Sequence, residues 1–202
     1  MAAFFRRIGR FFGLLLIAMG IAVFAVRLQH AGPYAMPEGG NLLAAVLAFA
    51  IGLWFLRPFP RSGSLPHIIG WPALLATPIV IFFALFSIMG EIEEVIAVTL
   101  ESPNGAEGTY RLWVVDLDGT AWTTMSDEKA ETAGFDGTTG QMLRNGQVSC
   151  VTITRHDDME TLSTIHDMKY EKYAAMRFAV MTGVFQRQAP ETSTAIEFAP
   201  CP

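Results

Sequence analysis

The chain has 202 residues, 51% of them hydrophobic and only 16% charged, with a formal net charge of −5. That apolar content is high for a soluble protein, and the acidic balance argues against a nucleic-acid partner, which would need clustered Lys and Arg for its phosphates. The charge is unevenly divided: residues 1–90 carry six Arg, no Lys and one acid, Glu38, for +5, whereas residues 91–202 carry eight basic and eighteen acidic residues, for −10.

Residues 1–90 are predicted to form a transmembrane region. Between Arg10 and Arg27 lies FFGLLLIAMGIAVFAV, slightly short of a bilayer span unless the flanking arginines reach outward to lengthen it. A second apolar run extends from Asn41 to Leu56 and stops at Arg57-Pro58. A third runs from His67 to Gly90, where Pro72 and Pro78 kink a helix without abolishing it. Three transmembrane helices are therefore expected, over about 11–27, 41–57 and 67–90, with Gly32-Pro33 and Glu38-Gly39-Gly40 as loop residues. The first run also has the Arg-rich entry of a signal peptide, but no small-x-small cleavage site follows Val26, so retention is the reading adopted. Arg6, Arg7 and Arg10 before the first helix, and Arg57 and Arg61 after the second, outnumber Arg27 after the first. The positive-inside rule then puts the N-terminus in the cytoplasm and, after three crossings, residues 91–202 outside it. In a bacterium this is an inner-membrane protein with a periplasmic C-terminal domain.

Residues 91–202 read as strands with one main helix. Glu94–Leu100 and Thr109–Val115 form a hairpin around Pro103 and Asn104-Gly105. Thr120–Met125, Gln147–Arg155 after Asn145-Gly146, and Thr194–Ala199 supply further strands. Ser126–Gly140 reads as a short helix plus a loop. A helix capped by Asp157, with Glu160 completing the box, continues through Leu162, Ile165, His166 and Lys169 toward Tyr173. The predicted class is a membrane α region joined to a β-rich α+β domain, a small antiparallel split barrel. Cys150 and Cys201 are compatible with a disulfide in an oxidising compartment or with one buried and one free thiol; the sequence leaves both open.

Three constellations bear on chemistry. Asp116-Leu117-Asp118-Gly119-Thr120 after an apolar strand matches the nucleophile motif of haloacid dehalogenase-type phosphatases. Such a nucleophile needs a later Ser or Thr, a Lys and further acids from successive parallel strands, and only 82 residues follow Thr120. A hairpin turn explains the residues better, with Asp bonding nearby backbone and Gly119 at positive φ. His156 and His166, if both helical, would point about 80° apart, so surface or capping roles are preferred and no metal is expected.

The third constellation is a resemblance. The order RLWVVDLDGTAWTTMSDEKAE, LRNGQVSCVTITR, HDMKYEKYAAM and TAIEF, over about Glu94–Phe198, is similar to the split β-barrel flavoproteins. These are the pyridoxamine 5′-phosphate oxidase-like group with its flavin- and deazaflavin-dependent nitroreductases and quinone reductases. The resemblance implies FMN or a deazaflavin, with Thr123, Thr124, Ser126 and Lys129 toward the phosphate and Trp122 or Trp113 against the ring; it assigns no catalytic residue. One departure stands out: where these relatives place Arg or Lys for the phosphate, the chain has Thr123 and Thr124, and Lys129, Arg144 or Lys169 would compensate only if folded close. The expectation adopted is therefore a non-catalytic accessory or binding module of a membrane complex, partnered by lipid and other membrane subunits. The alternative is a membrane-tethered flavin-dependent reductase of quinone-like or nitro acceptors.

Overall fold

The computed structural model describes residues 2–30, 39–56, 65–101, 103 and 105–202, which divide into two units, Met1–Ile92 and Glu93–Pro202. The predicted loop residues Gly32, Pro33, Glu38, Arg57, Pro58 and Arg61, and the turn residue Asn104, lie outside the described residues.

The first unit has three helices, α1 (Ala2–His30), α2 (Gly39–Leu56) and α3 (Leu65–Ile92). Small side chains lie between the helices and large apolar ones outside. Ala44, Ala45, Ala48 and Ala84 are buried, while Phe11, Leu14, Ile21, Leu43, Leu53, Leu75, Ile79 and Phe83 face outward. A Cβ built on Gly13 would stand 2.8 Å from the Gly52 carbonyl, and one on Gly52 would stand 2.8 Å from that of Gly13. Backbones this close gain dispersion contacts along their length, which is how helices associate where hydrophobic burial offers nothing. Two of the predicted spans, Gly9–Leu28 and Leu75–Ile92, are long and apolar enough to cross a membrane; the apolar part of α2 is the shorter Leu42–Leu56. At about 1.5 Å per residue that part covers roughly 22 Å, against a hydrocarbon thickness of about 30 Å. The expectation of three spanning helices is thus corrected to two among the described residues. Arg27 does not reach outward either: it is buried and ion-paired to Glu91 at 3.9 Å, which brings the C-terminal ends of α1 and α3 together.

The second unit is a curled antiparallel half-barrel of seven strands, ordered β2-β1-β5-β6-β7-β4-β3. The strands are β1 (Val95–Glu101), β2 (Glu107–Trp113), β3 (Val115–Leu117), β4 (Thr120–Ser126), β5 (Thr138–Arg144), β6 (Gln147–His156) and β7 (Ser193–Pro200). The two edge strands, β2 and β3, are consecutive in the chain and separated only by Val114. The sheet must therefore curl until its opposite edges lie one residue apart. Thr123 helps fasten this seam, donating its hydroxyl to the Trp113 carbonyl at 2.7 Å.

Both predicted positive-φ turns form. Asp118 (φ 52°) and Gly119 (φ 83°) join β3 to β4, and Asn145 (φ 51°) and Gly146 (φ 78°) join β5 to β6. Positive φ at both central residues matches the right-handed twist of the flanking strands, and Gly and Asn tolerate it best. Asp116, expected in the turn, instead lies in β3 opposite Ala121.

Ile96, Val98, Leu112, Val114, Phe135, Ile153, Ile196 and Phe198 fill one face of the sheet, closed by the short helix α4 (Asp127–Ala133). The other face, around Val115, Trp122 and Ala195, is covered by α5 (Met159–Lys172) and α6 (Ala174–Met181). Three local readings shift. Residue Asp158, not Asp157, caps α5, accepting from the Thr161 N–H at 2.8 Å, because Asp157 is held by Arg155 and Thr194. Part of the predicted loop is β5, paired on both sides by β1 and β6. The single predicted helix is two, broken at Tyr173, with the α6 N-terminus capped by the Glu93 carboxylate on the N–H groups of Ala174 and Ala175.

The cysteines are joined. Cys150 and Cys201, Cα–Cα 5.4 Å, form a disulfide that ties the C-terminus to β6, and the Cys201 N–H continues the ladder onto the Cys150 carbonyl.

Candidate functional site

Of the residues the sequence singles out, Thr123 and Thr124 lie where β4 meets Lys169 of α5, and Trp122 packs under α5 and α6. Alternation along β4 sends Trp122 toward α5 and α6, where it is 7% exposed. Its indole N–H donates to the Thr120 hydroxyl at 2.7 Å, and its ring lies 4.8 Å from that of His156. Trp113 stacks on Tyr173 at 5.1 Å. Trp122 is thus held in the core, while Trp113 is partly buried with one face on Tyr173. Thr123, 1% exposed, spends its proton on the seam, while Ser126 and Lys129 are exposed at the start of α4.

The missing cation comes from α5. Lys169, 7% exposed, donates from Nζ to the Thr124 hydroxyl at 2.9 Å, to the Thr124 carbonyl at 3.2 Å and to the Thr123 hydroxyl at 3.4 Å. All three partners are neutral oxygens. Burial away from water, aided by the nearby charge of Lys129, holds its amine down at about 7 rather than the usual 10.5. One helical turn earlier, burial and then the charge of Lys169 push His166 below its usual value, and its Nε2 has no hydrogen-bond partner among the described residues. The fold thus brings one buried amine, Lys169, to Thr123 and Thr124, and none of the three oxygens it bonds belongs to a carboxylate.

Arg144, the other basic residue that could have compensated, goes elsewhere. Its guanidinium grips Asp116 through two bonds, at 2.6 and 2.7 Å, and Glu94 through Nε at 2.6 Å. Lys172 adds a 2.5 Å contact to Glu94 and donates to the Val114 carbonyl at 2.7 Å. The Arg144 hydrogen bonds lower Asp116 despite its burial; burial raises Glu94, but Arg144 and Lys172 outweigh it. Beneath them, the Tyr173 hydroxyl donates toward the carbonyls of Val114 (2.6 Å) and Glu94 (2.9 Å) and accepts the Val114 N–H at 2.7 Å. Burial raises the phenol well above its usual range.

The network includes the first acid of Asp-Leu-Asp-Gly-Thr. Asp116 is paired with Arg144, and Asp118 takes φ 52° in the turn between β3 and β4. His156 ends β6 rather than sharing a helix with His166, and it faces Glu197 at 3.2 Å. Among the described residues, no group of three or more His, Cys, Asp or Glu is arranged to hold a metal.

No protein-family model matches the chain, and no curated protein matches it. Among solved structures, it is similar to the crystal structure of conserved hypothetical protein Rv2991 from Mycobacterium tuberculosis. That match has 13% identity and a TM-score of 0.39, over 55% of this chain and 74% of the other.

Proposed function

We propose that the chain is a membrane-anchored protein whose C-terminal half-barrel is a non-catalytic accessory or binding module of a complex in a bacterial inner membrane. The observation that carries this reading is the Lys169 ammonium seated on Thr123 and Thr124 beneath α5. Of the positions that the flavoprotein resemblance assigns to phosphate and ring, Thr123 and Thr124 meet Lys169 of the protein's own helix α5 and Trp122 is packed into the core, while Ser126 and Lys129 are exposed. A flavin does not fit the residues as arranged. The outward Leu, Ile and Phe of α1 and α3, with Gly and Ala between the helices, support a lipid environment. The Cys150–Cys201 disulfide supports an oxidising compartment for the domain; with two crossings the arginine distribution would return residues 91–202 to the side of the N-terminus, so a periplasmic placement rests on the disulfide alone.

One observation favours the competing reading of a flavin- or deazaflavin-dependent reductase. Lys169 supplies the cation that the sequence of β4 lacks, so a phosphate would find a partner there if α5 gave way. The absorption spectrum of the full chain, purified in mild detergent and incubated with FMN, separates the two. A colourless protein after gel filtration is the expected result. Retained flavin bands, lost on Lys169→Met, would overturn the module reading.

A further inference from the structure

Between α6 and β7 the chain has no regular structure, and its two ends are fastened differently from its middle. The N–H groups of Thr182, Gly183, Val184 and Phe185 bond carbonyls of α6, and at the far end the Ser193 N–H bonds Pro190 and the Asp127 N–H bonds Thr192. Over residues 186–189, among the described residues, no main-chain group bonds another main-chain group. This stretch is held instead by the side chains of one turn of α5: His166, Asp167 and Tyr170. Arg187 pairs with Asp167 and lies 4.0 Å over the Tyr170 ring. Both contacts are exposed to water, where such pairs hold weakly. His166 is the buried member, 7% exposed, with the main chain of Gln186 and Arg187 against its ring.

That ring is poorly placed to take a proton. Its Nε2 has no hydrogen-bond partner among the described residues, and Lys169 follows three positions later on the same face of the helix. Burial first, and then the charge of Lys169, oppose protonation; the main chain of Gln186 and Arg187 and the Asp167 carboxylate favour it without offsetting them. The charged groups around the ring are thus Lys169 and Asp167 from α5 and Arg187 from the facing stretch, whose guanidinium is turned onto Asp167 and Tyr170. With the stretch lifted, water reaches the ring, which then takes its proton at about its ordinary 6.5. Protons bind the lifted form more tightly than the seated one, so acidification below that value shifts the population toward it.

We propose that residues 186–189 are an acid-released strap: protonation of His166 unseats them from α5 while the seven-stranded sheet stays folded. The device involves the second unit alone and stands apart from the membrane reading. The test uses the full chain in mild detergent, disulfide intact, with one spin label at Gln188→Cys. The ratio of mobile to immobile label is followed by electron paramagnetic resonance from pH 7.5 to 5.5, beside the near-ultraviolet circular dichroism. The ratio should rise roughly fivefold with the dichroism unchanged, and stay flat when His166→Gln is added. Adding Asp167→Asn, which frees Arg187, should raise the mobile fraction at every pH and leave the rise in place; Lys169→Met, which removes the like charge, should keep a smaller rise. Nuclear magnetic resonance of the His166 ring in the otherwise unchanged chain supplies a reading that does not depend on the Gln variant folding: the ring should titrate over the same range as the label. A ratio indifferent to pH, a rise undiminished by His166→Gln, a ring that titrates outside the range of the rise, or mobility gained only as the near-ultraviolet signal is lost would each overturn the strap.

Discussion

Lys169 allows a test that reads the site without a ligand. Replacing it with Met keeps the apolar stem and removes an amine held at about 7 against an ordinary 10.5. Between those values the unfolded chain carries a proton that the folded chain does not, so stability rises with pH; below about 7 both states carry it and the contribution is flat. With about 1.36 kcal/mol per unit, the wild-type chain gains about 3 to 4 kcal/mol between pH 7 and pH 10 from this group, and the Met variant gains none. At pH 10 the variant lacks the hydrogen bonds of a neutral amine to Thr123 and Thr124, a loss of about 1.5 kcal/mol. It is therefore the less stable there and, by difference, the more stable by about 2 kcal/mol at pH 7. Melting followed by near-ultraviolet circular dichroism, with both chains in the same detergent, lets all other titrations cancel. At about 4 °C per kcal/mol, the variant's midpoint should move from about 8 °C above the wild type at pH 7 to about 6 °C below it at pH 10. A midpoint difference that ignores pH would show Lys169 to be hydrated and normally charged, and the argument that α5 seals this site would fail.

Cys201→Ser should lower the domain's stability by about 4 kcal/mol, since the disulfide closes a loop between positions 51 residues apart; denaturant melts with and without reductant check this, and equal midpoints for wild type and variant would refute it. Tyr173→Phe removes the hydroxyl that bridges Val114 and Glu94 and leaves the buried Val114 N–H unpaired, for a loss of about 2 kcal/mol. Amide exchange at Val114 is the direct readout, and unchanged protection there would refute the assignment.

The division into units at Ile92 and Glu93 is legible because the sequence passes there from an apolar, arginine-edged half to an acidic one. The two tight turns were legible because Asp118-Gly119 and Asn145-Gly146 meet a backbone demand that few other pairs meet. Thr138–Arg144 hid its strand: TTGQMLR has no apolar alternation, and it is extended because β1 and β6 bond it from both sides. The break at Tyr173 was hidden too, since its cause is a hydroxyl that reaches Val114, 59 residues away. The Lys169 contact left one trace, a lysine four residues after Ile165 and seven after Leu162, on the buried face of an otherwise amphipathic helix. Gly39 and Gly40, expected in a loop, instead open α2, whose apolar part runs only from Leu42 to Leu56.

The single residue between β2 and β3 has a consequence for how the domain can err. Strands usually slip independently, but here a shift of one position in β2 drags β3 with it, turning Asp116 away from Arg144 and exchanging inner for outer side chains at both margins of the sheet at once. Misalignment cannot be local. The margins must be set together, so slow hydrogen exchange at Trp113, Val114 and Val115 should rise and fall as one block.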